Sequence, residues 1–234
     1  MFIYFRACEK QATISNVTRF SNIDKTTLLR ACWLSIQASV DETDTIIIVH
    51  DEVCEDTLIW LENTSKTANL DFVEVEEHIW EKHQHTITLV DILEEYCNKY
   101  PNDIHYIVED DYLHTKNAIS VIKNNLSQWT GFAVPYDYPD RYYNPQVCKV
   151  LLGEDRHWRT IDSSTMTVIA LGSTWLKVID LLRQAAPTSN DKVFEEIYKH
   201  IACISPILGI ASHMTDRHAT PFVDWESLWL EYTE

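Results

Sequence analysis

The sequence predicts a single α/β domain whose central sheet is mostly parallel and flanked by helices, in the Rossmann-like manner. Three observations carry this prediction. Strand-like and helix-like segments alternate from the first residue to about residue 114; the strands at 46–49 and 104–108 are apolar without the alternation of a half-exposed sheet, as strands covered on both faces are; and both run into acids. In such sheets ligands gather outside the carboxyl ends of the strands, so acids placed there face the expected binding crevice.

Phe2 to Phe5 reads as the first strand, followed by a polar loop through Asn16, Arg19 and Asn22. Arg6 and Arg19 are the only arginines before Arg30, and in so acidic a chain loop arginines after a first strand suit either an anionic ligand or a surface ion pair. A helix starts near Asp24, with Leu29, Cys32, Trp33 and Ile36 on its apolar face. Thr45 to Asp51 is the second strand and ends in an acid. A helix over Asp56 to Asn63, a short strand over Leu70 to Val75 and a helix carrying Leu89, Ile92, Leu93 and Tyr96 follow. His78, His83 and His85 precede that last helix; with no HExxH pattern and no cysteine partner they read as incidental to a polar loop rather than as a zinc site.

The next strand, Ile104 to Val108, delivers Glu109, Asp110 and Asp111 in succession. Three carboxylates cannot share a dry place without a counter-charge, which water, a cation or a metal-bound phosphate must supply. Hard cations such as Mg²⁺ and Mn²⁺ prefer carboxylate oxygen and bind through one or two carboxylates plus substrate phosphates. The same acids equally suit the cap of the following helix, marked by Ile119, Ile122, Leu126 and Trp129.

The second half changes character. Trp129 to Pro135 reads as a strand leading into a loop rich in Tyr, Pro and Asp, Tyr136 to Pro145, which suits either a stacking wall for sugars or bases or a surface loop packed on the core. Strands are expected over Cys148 to Leu152 and Ser164 to Ala170, with His157, Trp158 and Arg159 between them. One helix carries Trp175, Val178, Ile179 and Leu182 and breaks at Pro187; another opens at Asp191 with Val193, Ile197, Ile201 and Ile204 inward. Asp191 stands where an N-cap acid belongs. Ile210 to Met214 forms a short strand or turn, and Phe222, Trp225 and Trp229 mark a C-terminal helix packed on the body.

The totals bound the function. With 234 residues, 45% hydrophobic residues and 8 Trp, the chain folds around a large core. A formal charge of −17 and the lack of a basic stripe exclude a nucleic-acid-binding surface. With 4 Gly, neither GxGxxG nor a P-loop can be written, so the phosphates of any nucleotide must be met by a metal and by arginines. The 6 cysteines are scattered without a CxxC pair, and no signal peptide or membrane span is legible; the expectation is a cytoplasmic protein with reduced thiols.

The order of these elements and acids resembles the GT-A fold glycosyltransferases, closest in style to the family 2 group. The resemblance rests on Leu28 to Ile36 as the first helix, Ile46 to Asp51 as the second strand and Val108-Glu109-Asp110-Asp111 as the DXD-type motif, with Glu109 in place of the first aspartate. It implies one continuous domain, residues 1–114 forming the donor half and 115–234 the acceptor half. It also implies a transfer of sugar from a nucleotide sugar, UDP-linked first of all, to a glycan or other hydroxyl acceptor, with Mn²⁺ or Mg²⁺. Asp51 would contact the nucleotide, Glu109 and Asp110 the donor, and Asp111 the metal, joined by a late histidine, His213. Asn190-Asp191 resembles the acid pair of inverting members, which makes Asp191 the catalytic base, while Arg159 or Arg19 would assist the leaving diphosphate. Two other classes fit the same acids: a sugar-phosphate nucleotidyltransferase, whose Gly-rich basic loop is missing here, and a nucleotide- or carbohydrate-binding module without turnover.

Overall fold

The computed structural model describes residues 1–10, 23–75, 83–144, 146–214 and 219–233. The first half contains β1 (Phe2–Cys8), α1 (Lys25–Gln37), β2 (Thr45–Asp51), α2 (Glu55–Thr64), β3 (Asn69–Glu74), α3 (Gln84–Lys99) and β4 (Ile104–Glu109). Its four strands are parallel in the order β3-β2-β1-β4. The register sets Arg6 beside Glu109 on one side and Val49 on the other, and Cys8 beside Asp51, so their carboxyl ends finish level. Asp24 starts α1 by accepting the Thr27 N–H at 2.9 Å, and the helix buries Leu28, Leu29, Cys32, Trp33 and Ile36.

Beyond the acids come β5 (Tyr112–His114), α4 (Ala118–Leu126), β6 (Phe132–Ala133), α5 (Asp140–Tyr143), β7 (Val150–Leu152), β8 (His157–Ile161) and β9 (Ile169–Leu171). The chain continues through α6 (Gly172–Trp175), α7 (Ile179–Ala185), a 3₁₀ turn (Ala186–Thr188), α8 (Lys192–Tyr198), β10 (Cys203–Pro206), β11 (Ala211–His213) and α9 (Trp225–Thr233). Among the described residues the main sheet has nine strands, β3-β2-β1-β4-β9-β6-β10-β8-β7, and β11 pairs with β5 in a separate antiparallel ribbon. One apolar cluster lies on each face of the sheet, and a third joins α1 to Trp225 and Trp229 of α9. No helix among the described residues is long and apolar enough to cross a membrane.

Several expectations are corrected. The acids do not lead straight into a helix: β5 intervenes and Asn117 holds the N-cap position of α4, so neither Asp110 nor Asp111 caps it. His157 to Arg159 belong to a strand, because β10 and β7 supply partners on both sides. The helix expected through Trp175 and Leu182 is broken: the Trp175 indole N–H is tied to the His105 carbonyl at 3.2 Å, and Val178 leaves the helical region. Ile204 lies in β10 rather than α8, since its segment is covered by β6 and β8 and its β-branched side chains suit a buried strand.

Candidate active site

The three consecutive acids turn to three different partners. Glu109, at the end of β4, accepts from Arg6 Nη1 at 3.3 Å and from the Thr167 hydroxyl at 3.2 Å. Burial above all, with Asp111 and Asp191 adding to it, raises its carboxyl to about 7 against the opposing pull of Arg6. Asp110 is buried, accepts the Cys8 N–H at 2.8 Å and is ion-paired with Lys25 in the first turn of α1. Asp111 Oδ2 lies 3.0 Å from His213 Nε2.

The ribbon of β5 and β11 builds that last pair. His213 is in register with Tyr112, and the Met214 N–H donates to the Asp111 carbonyl at 2.9 Å. The imidazole stacks on the Tyr112 ring, centroids 5.0 Å apart and planes 11° from parallel. Burial alone would lower the pKa of His213, but the Asp111 carboxylate, its hydrogen bond and Glu109 outweigh it and raise the value.

Asp191 occupies the N-cap position of α8, yet its side chain makes no capping bond. Its carboxyl is half-buried and close enough to Arg6 and Glu109 for their charges to interact; burial raises its pKa and Arg6 opposes the rise. The loop that delivers it passes through Ser189 in the left-handed region (φ 42°), and the Ser189 hydroxyl is clasped to that of Thr86 in the first turn of α3 at 2.6 Å. His85 stands at the same end of α3, its pKa pushed down to about 3 by burial, then by Arg6 and His83. His78 lies outside the described residues, as does Arg19.

Asp51 ends β2 on the same edge of the sheet and is buried. Arg159, expected to assist a leaving diphosphate, is instead committed to the second half: it is paired with the buried Asp137 and lies over the Tyr142 ring, 4.8 Å from its centroid. Of the Tyr-rich loop, Tyr138 reaches the acids, because Glu109 and Asp111 both act on its hydroxyl. Lys25 and Thr167 join the site only through contacts between distant segments; Arg6, a cation at the end of the first strand, and Tyr138, in the Tyr-rich loop, each carried a sequence signal.

Asp111 and His213 are the residues that could hold a divalent ion. Asp111 Oδ2 and His213 Nε2 converge, one hard oxygen and one imidazole nitrogen, and a two-residue site leaves room for water and diphosphate oxygens, as Mg²⁺ and Mn²⁺ prefer. Among the described residues no third His, Cys, Asp or Glu completes a cage of protein ligands.

No protein-family profile matches the chain, and no curated protein matches it in sequence. Solved structures do. The glycosyltransferase GlyE in Streptococcus pneumoniae TIGR4 superposes with a TM-score of 0.54 at 9% identity, over 99% of this chain and 59% of GlyE. The chain has a GT-A-like glycosyltransferase fold. Two further solved structures match at lower scores. The galactosyltransferase LgtC in complex with donor and acceptor sugar analogs gives a TM-score of 0.42 at 11% identity, over 86% of this chain and 66% of LgtC. The mannosyltransferase PcManGT from Pyrobaculum calidifontis, in complex with GDP-Man and Mn²⁺, gives 0.39 at 13% identity, over 61% of this chain and 37% of its own. The chain spans less than two thirds of the length of each of these three.

Proposed function

We propose that the chain is a metal-dependent glycosyltransferase that moves a sugar from a nucleoside-diphosphate sugar, UDP-linked in our reading, to an acceptor hydroxyl with inversion at the anomeric carbon. One observation carries the proposal: Asp111 with His213, Glu109 with Arg6, and Asp191 meet at the carboxyl end of the sheet, although they come from four segments of the chain. Breaking a glycosyl–phosphate bond builds positive charge on the anomeric carbon and negative charge on the departing diphosphate. Mn²⁺ or Mg²⁺, held by Asp111 and His213, would supply Lewis-acid stabilisation of that negative charge. Asp51 meets the nucleotide at the end of β2, and Asp110 fixes the start of α1 beside it through Lys25. Arg6 keeps Glu109 facing the donor. Asp191 takes the proton of the attacking hydroxyl, a task that its burial favours by making the carboxylate more basic.

The test combines product analysis with thermal unfolding. A nucleotide that needs Mn²⁺ to bind should stabilise the wild type by about 2.7 kcal/mol at a hundred times its dissociation constant. Asp111→Ala should lose that shift. Asp191→Asn should keep it while transfer falls by roughly 10²–10⁴-fold. Equal loss of binding and transfer in Asp191→Asn would make Asp191 structural, and pyrophosphate in place of free nucleoside diphosphate would identify a nucleotidyltransferase. The anomeric configuration of the product, read by NMR, tests inversion.

A further inference from the structure

A cavity of about 460 Å³ lies on the acceptor half, away from the three acids. Asp162 and Ser163 after β8, Gln146 ahead of β7, and Glu195, Tyr198 and Lys199 of α8 line it. Two connections lead from it to the reaction centre. Along α8, Asp191, Glu195 and Tyr198 follow at the spacing that shares one helix face, so the cavity lies on the face that Asp191 begins, about 6–10 Å further along. Along the chain, the segment that leaves Ser163 runs to the acids. The Ser164 hydroxyl meets that of Tyr198 at 2.6 Å, Thr165 meets the Tyr112 hydroxyl at 2.9 Å, and Thr167 donates to Glu109 at 3.2 Å.

The rim is held in place before any ligand arrives. The guanidinium of Arg141, 8% exposed, reaches Asp162 at 2.7 Å and the Ser163 hydroxyl at 2.6 Å, and it also holds Gln146. Such preorganisation lowers the cost of binding. The lining offers hydroxyls, an amide, carboxylates and one ammonium, which together donate and accept. With Arg141 paired to Asp162, the carboxylates of Asp162 and Glu195 are balanced by two cations, Arg141 and Lys199, so the lining carries no net charge to hold an ionic ligand, and with Ile161 and the Tyr198 ring as its apolar parts it disfavours lipid chains. Neutral polyhydroxylated ligands remain.

We propose that this cavity is a saccharide subsite that holds the sugar unit next to the one whose hydroxyl reacts, so that the acceptor is a neutral saccharide of two or more units. The proposal rests on the glycosyltransferase reading of Asp191. Its test is an amide-detected NMR titration of the full chain with lactose, cellobiose, maltose and N,N′-diacetylchitobiose, each beside its component monosaccharides. At least one disaccharide should shift the amides of Ser163, Glu195 and Lys199 and bind at least tenfold tighter than its monosaccharides. Glu195→Trp, on the exposed face of α8, should weaken that binding at least tenfold, and Lys199→Ala should weaken it too. No disaccharide at these amides, equal binding of monosaccharides, or unchanged affinity in both variants would overturn the subsite. Metal-dependent nucleotide binding with an empty cavity would overturn the subsite alone, whereas disaccharide binding in a chain that binds no nucleotide would leave a saccharide site and remove the transferase reading.

Discussion

His114 is sealed from water between the acids and α4, and it is held as a neutral ring. Its Nδ1–H donates to the Tyr112 carbonyl at 3.0 Å, and its Nε2 accepts from the Tyr106 hydroxyl at 2.7 Å. Burial pushes its pKa down to about 4, against the pull of that carbonyl. The unfolded chain, with an ordinary histidine near 6.5, binds more protons between these two values, so the stability His114 gives at neutral pH drains away as pH falls through that window. The loss approaches about 3 kcal/mol by pH 4. Urea midpoints measured across this range should fall more steeply for the wild type than for His114→Asn; parallel curves would show that His114 does not set the slope. Legibility at this scale follows the same division between local and distant causes. Asp111 and Asp191 could be picked out because acids at a strand end and a helix start leave a mark in the sequence, whereas His213 was reached only through the resemblance to the GT-A glycosyltransferases. Lys25 and Thr167 leave none, because their places depend on pairings across 58 residues for Thr167 and 85 for Lys25, whereas Tyr138 belongs to the Tyr-rich loop that the sequence offers as a stacking wall.

At the scale of elements, β8 is fastened to the loop after β6 by one charged knot. Asp137 is fully buried and receives both Arg159 and the Tyr142 hydroxyl. Arg159→Met should therefore destabilise the fold by about 3–5 kcal/mol, because it strands a buried carboxylate rather than merely removing a contact. Adding Asp137→Leu to it should recover much of the loss, and chemical denaturation of the single and double variants decides. A cost below about 1 kcal/mol for the single change would mean that water reaches Asp137. The first half was readable at this scale because its strands and helices are neighbours in sequence and carry clean periods. The second half was readable only in part: β7, β11 and α9 lie where the sequence put them, but β8 and β10 are short, each is completed by partners distant in the chain, and the apolar spacing of Ile197, Ile201 and Ile204 is shared by a helix and by a helix that gives way to a strand.

The whole molecule carries a formal charge of −17, and its self-repulsion acts against every compact arrangement. Raising ionic strength from about 10 mM to about 150 mM shortens the screening length from ~30 Å to ~8 Å. The melting temperature should rise over that interval in NaCl, despite some weakening of surface pairs such as Arg183 with Glu94. A fall would show that attractive pairs outweigh the net charge. The sheet order also has a consequence for how the protein is made. β4 is covered on one side by β1, already synthesised, and on the other by β9, which follows only after residues 110–168. At roughly 5–20 residues per second a ribosome needs several seconds to supply that cover, and an unpaired strand edge recruits other chains in the meantime. Translation that stalls between His114 and Ile169 thus prolongs the nascent chain's exposure of the strand that bears its acids, which makes this stretch of the message, rather than either end, the one where speed matters.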